Sequence, residues 1–115
     1  MFQKSTPIVL PMWNPDAREL TMGGVLVKRF RTSATTQIPI LEAFQRHGWK
    51  GSIANPFTRQ RGERDPDERL HDGVFKLNRH QTNSILHFER NGAGRVMWTR
   101  IEPPEPPAVD NYSPD

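Results

Sequence analysis

Arg69, Lys76 and His80 lie at helical spacings of seven and four residues, with Arg79 at the edge of the face they share. Arg90 and Arg95 flank the stretch Asn91-Gly92-Ala93-Gly94, and Arg59, Arg61 and Arg64 crowd a polar segment further upstream. Arginine offers a planar fork of donors and lysine a compact charge, so both suit phosphate oxygens. Arg79, His80 and Asn78 are also types that donate to nucleobase edges or phosphates. Each set has a plainer reading beside this one. The first is a solvated helix face, the second turn chemistry, the third a solvated loop. Asn78 lies toward the apolar side, where it reads as a cap or brace for a neighbouring loop rather than a base contact.

Other chemistries find little support. His47, His71, His80 and His87 have no carboxylate or cysteine partners at a familiar metal spacing. There is no nucleophile elbow, no P-loop and no GxGxxG. Asp65, Asp67 and Glu68 read as charges at a helix N-terminus, where the dipole favours acids. The sequence therefore predicts no catalytic residue, no metal site and no cofactor.

The elements that must hold these residues follow from periodicity. Leu70, Val74 and Leu77 lie at i, i+4 and i+7, which predicts a helix over 69–81. Asp65 or Asp67 can cap it, Pro66 fits its first turn, and Asn83 is a reasonable stop. Gly73 inside it costs about 1 kcal/mol relative to Ala; it reads either as a point of close approach or as a tolerated weak spot. Beyond it, Leu86 and Phe88 alternate inward on one strand, and Val96 and Trp98 on another. The glycines between them permit a hairpin turn.

Upstream, Arg18 to Met22 and Val25 to Phe30 read as two strands joined at Gly23-Gly24, a dipeptide suited to a tight turn. Ile8-Val9-Leu10 reads as a short strand stopped by Pro11, and 13–16 as a turn. A helix is expected over 37–47, with Thr35 or Thr36 as its cap, Pro39 in its first turn and Gly48 as its stop. Ile38, Leu41 and Phe44 share one face, and Trp49 folds back onto the core. Residues 50–66 read as irregular, anchored by Ile53 and Phe57, with at most one turn of helix.

Composition sets the frame. The 115 residues are 34% hydrophobic, below the usual range of about 45–50%, so the core is small. There is no cysteine, which fits a reducing cytoplasm. No apolar run approaches the roughly 20 residues needed to cross a membrane. The net charge of +3 conceals an asymmetry: residues 23–100 hold 14 Lys and Arg against 7 Asp and Glu, while 101–115 hold four acids and no base. A basic body suits a polyanionic partner. The reading is one α+β domain over 1–101, with a small N-terminal antiparallel sheet, two or three helices and a C-terminal hairpin. Residues 102–115 are expected to be a disordered, acidic, Pro-rich tail.

This order of elements resembles the winged helix-turn-helix effector domain of OmpR/PhoB-type response regulators. The matching parts are Leu20 to Phe30, Gln37 to Trp49, Arg69 to Gln81 and Ile85 to Trp98, alike in pattern rather than identity. The resemblance implies a cytoplasmic, DNA-binding regulator of transcription. Its recognition helix would contact double-stranded DNA through Arg69, Lys76, Arg79 and His80, and its wing through Arg90 and Arg95. The middle helix of that domain is not evident, and no receiver domain is expected ahead of it. The stretch RLHDGVFKLNRHQ…ILHF…NGAGRVMW also looks like a group of short bacterial proteins that brings no known activity. The alternative is a winged-helix-like module that binds protein through apolar surface around Trp13, Trp49 or Phe75.

Overall fold

The computed structural model describes residues 9–31 and 33–101. The tail expected at 102–115 lies outside them. The fold is α+β, with two helices and two three-stranded antiparallel sheets.

The first sheet comprises β1 (Pro11–Asn14), β2 (Glu19–Met22) and β3 (Val25–Arg29) in that order. Its first strand begins where the sequence suggested one would stop. Proline lacks a ladder donor, which is tolerated at the first position of an edge strand. Gly23 and Gly24 have φ of 61° and 79°, the left-handed pair that a tight hairpin turn requires. A shift in register between Leu20 and Thr21 leaves Val27 without a strand partner. Val27 is fully buried there with Trp13, Leu20 and Met22.

The helix α1 (Ile38–Arg46) buries Ile40, Leu41, Ala43 and Phe44. Neither threonine caps it: the N-cap is Gln37, with no side-chain cap bond. Thr36 instead donates its hydroxyl to Asp72 Oδ2 at 2.6 Å. The C-terminus closes as a Schellman motif, with Gly48 N–H donating to the Gln45 carbonyl and Trp49 N–H to the Phe44 carbonyl. The Trp49 ring stacks on Phe44 at 5.0 Å, so the turn and the core contact arise together.

Within the segment expected to be irregular, Ser52–Ala54 forms β4. Residues 55–65 contain no helix. The helix α2 (Pro66–Asn78) follows, capped by Asp65, whose Oδ1 accepts from Asp67 N–H at 3.0 Å. It starts and ends three residues before the expected range. Asn83 is not its stop. Asn78 is, because its side chain both donates to the Phe88 carbonyl and accepts from the Phe88 N–H, each at 2.8 Å. Lys28 of β3 reaches the same helix end and donates to the Lys76 carbonyl at 2.6 Å. Burial lowers the pKa of the Lys28 ammonium to about 8.

The chain finishes as β5 (Leu86–Arg90) and β6 (Arg95–Arg100), and the second sheet runs β4-β6-β5. Leu41, Phe44, Leu70, Val74, Leu77 and Phe88 are buried in one core, with Trp98 partly buried against it. No helix among the described residues is long and apolar enough to cross a membrane.

Candidate nucleic-acid interface

From Asp65 to Arg79 the chain carries four acids (Asp65, Asp67, Glu68, Asp72) and three bases (Arg69, Lys76, Arg79). The helix expected to present a basic face is therefore close to charge-balanced, and its bases have intramolecular work. Arg69 lies over the Phe57 ring at 4.4 Å, with Nη1 3.1 Å from Glu63 Oε1. Its side chain is only 18% exposed. Arg69 thus braces the 55–65 loop against α2. Lys76 pairs with Asp72 at 3.1 Å, one helical turn away. Arg79 lies over the exposed Phe75 ring at 5.1 Å. His80 is not on the helix at all: its φ of 56° places it in the bend beyond.

Asp72 is the junction of this side. It accepts from Thr36 and Lys76 and lies 3.8 Å from Arg64. The Thr36 hydroxyl, ahead of the Lys76 and Arg64 charges, holds its carboxyl below the usual range against a smaller opposing effect of burial. Arg59 pairs with Asp65 at 3.8 Å. Both arginine pairs are long and solvated, so they restrain their side chains little. Arg61 is exposed, with no ion pair among the described residues.

The two arginines of the hairpin part company. Asn91 Oδ1 accepts from Ala93 N–H and Arg95 N–H and shapes the turn. Arg90 pairs in register with Val96, and side chains alternate along a strand. Arg90 therefore shares the inner face with Phe88 and Val96, while Arg95 takes the outer one. Arg90 borders a cleft between the hairpin and the first half of α2, formed by two hollows of about 280 and 410 Å³. Arg64 and His71 border it too, but so do Asp67, Glu68 and Asp72. Arg95 instead donates to Ser52 Oγ at 3.0 Å and to the Ser52 carbonyl at 3.1 Å.

The structure thus brings Arg64 and Arg90 to one cleft, separates Arg95 from them, and occupies Arg69 and Lys76. Sequence reasoning missed the cluster of Lys50, His47 and Ser52 around Arg95. Only strand β4 connects them, and its pairing is long-range, so no local signal could have found it. Among the described residues, no group of three His, Cys, Asp or Glu could hold a metal ion.

No protein-family model, curated protein or solved structure matches the chain.

Proposed function

We propose that this is a small, non-enzymatic, cytoplasmic DNA-binding protein of winged-helix type that grips the duplex through backbone phosphates. The observation that carries this reading is the order α1-β4-α2-β5-β6 with β4 paired to β6. That connection anchors a hairpin wing beside α2, as a winged helix does. Arg64 and Arg90 border the cleft, and Arg61 is exposed in the loop that leads to Arg64; in this reading these three are the phosphate contacts. Asp67 and Glu68 face the same cleft, so the first half of α2 is poorly suited to base readout. Binding is therefore expected to be sequence-tolerant and strongly salt-dependent.

The test is fluorescence anisotropy with a random-sequence duplex at two salt concentrations. Arg61→Ala/Arg90→Ala should weaken binding without lowering thermal stability. It should reduce the slope of log K against log salt by roughly 0.9 for each phosphate that is no longer neutralised. A wild-type protein that binds no duplex at low salt would overturn the reading.

One observation favours a second reading, a protein-binding module. Phe75 is 52% exposed on α2, with Arg79 over it, and aromatic–arginine pairs are common interface anchors. Trp13 and Trp49 contribute nothing to such a surface, because both are buried. Partner binding that disappears in Phe75→Ala and is insensitive to salt would favour this alternative.

A further inference from the structure

We infer that the hollow on the outer side of the second sheet, bordered by His47, Lys50, Ser52 and Arg95, is a separate binding site for an oxoanion of the phosphate type. The hollow has a volume of about 250 Å³, and its remaining lining is Ile53 and Ala54. Two cations, an imidazole and a hydroxyl meet there with no acid in the lining. The cleft beside α2, with its three carboxylates, has the opposite character.

Arg95 is preorganised for the task. Its Nε and one Nη2 hydrogen are committed to Ser52. The Nη1 hydrogens and the second Nη2 hydrogen remain for a ligand, in the planar arrangement that oxoanions accept from two nitrogens at once. Little side-chain freedom is left to lose on binding.

Lys50 is exposed and has no ion pair among the described residues. Its backbone is fixed from both sides. The preceding Trp49 is held by the Schellman turn, and the Trp98 indole donates to the Trp49 and Lys50 carbonyls at 3.2 and 3.0 Å. The Phe44 and Gln45 carbonyls at the end of α1 accept from Trp49 and Gly48. These bonds engage one lone pair on each of two carbonyls at the end of α1.

Because Arg95 and Arg90 occupy opposite faces of the hairpin, this site stands independently of the DNA-binding reading. The experiment is an amide-resolved NMR titration of the full chain with sodium phosphate, against sodium acetate at equal ionic strength. Phosphate should give saturable shifts at Lys50, Ser52, Ala54 and Arg95. Lys50→Gln should weaken the phosphate titration roughly tenfold, as removal of a charge-assisted bond does. Arg95→Lys should weaken it by removing the fork, and Arg29→Ala, on the first sheet, should leave it unchanged.

A random duplex that shifts the same amides and displaces phosphate would identify the anion as a phosphodiester. Saturation by phosphate with no response to duplex would identify a free phosphate or phosphomonoester. Equal, unsaturable drift in phosphate and acetate would overturn the proposal, as would an unchanged titration in Lys50→Gln. An intact phosphate titration in a protein that binds no duplex would reject the DNA reading alone.

Discussion

Gly73 sits where α2 meets the segment leading into α1. A Cβ there would collide with the Thr36 carbonyl oxygen and lie 2.6 Å from Ile40 Cδ1. Of the two sequence readings for this glycine, close approach is the one observed. Alanine is worth about 1 kcal/mol more than glycine inside a helix, yet Gly73→Ala should destabilise the protein by about 1–3 kcal/mol, because a backbone oxygen must move. Urea denaturation decides the sign; net stabilisation would show that α2 shifts freely. The neighbouring Asp72 makes a pH-dependent contribution. Its carboxyl is held below the usual range, so the folded state binds its proton less readily than the unfolded chain. Its contribution is present above the ordinary carboxylate pKa and disappears as the pH falls through the folded-state value. Asp72→Asn should therefore be less stable than the wild type at neutral pH, and the gap should close in acid. A gap of constant size in urea midpoints across that range would mean that the carboxylate charge is not what Thr36 and Lys76 stabilise.

At the scale of elements, what was local was legible and what was long-range was not. The Gly23-Gly24 turn, the Gly48 stop and the apolar spacing of Leu70, Val74 and Leu77 each act within a few residues, and each points to its element directly. The end of α2 is different. It is fixed by Asn78 binding the backbone of Phe88 and by Gln81 Nε2 donating to the Leu77 and Leu86 carbonyls, partners that periodicity does not reveal. The expected basic face runs on to His80 because the spacing runs on. Strand β4 has a single buried residue, Ile53, and exists because β6 pairs with it. Without β4 the Arg95 cluster is invisible, and the spacing of the bases on α2 says nothing of the acids that neutralise them. The strength of the α2–β5 junction can be measured. Asn78→Ala removes both bonds to Phe88, a buried residue, and should cost about 1–3 kcal/mol. Hydrogen exchange at the Phe88 amide should quicken more than at Val96. Equal acceleration at both sites would mean that Asn78 supports overall stability rather than the junction.

Over the whole molecule, positive charge avoids the helix that the sequence put forward. Residues 23–64 hold eight Lys and Arg against two acids, and 80–100 hold three against one. The stretch 65–79, with three bases against four acids, is a slightly negative patch between basic neighbours. If DNA lies across the cleft, Asp67 and Glu68 oppose it while Arg61, Arg64 and Arg90 attract it. Changes of opposite sign should then have opposite effects. Asp67→Asn/Glu68→Gln should tighten duplex binding at low salt. A carboxylate roughly 8 Å from a phosphate in water opposes binding by about 0.5 kcal/mol, so removing two should gain roughly fivefold. The same change should lower helix stability by about 0.3–1 kcal/mol per acid, since both occupy the first turn where the dipole favours them. The Asp65 cap remains, because its acceptor bonds a backbone N–H. Tighter binding from a less stable protein is difficult to explain by improved folding, so this pair of measurements isolates the electrostatic effect. The gain should shrink as salt rises and the Debye length falls from about 10 Å at 0.1 M. Unchanged affinity at low salt would mean that phosphates do not approach the cleft, and that any duplex contact lies on another face.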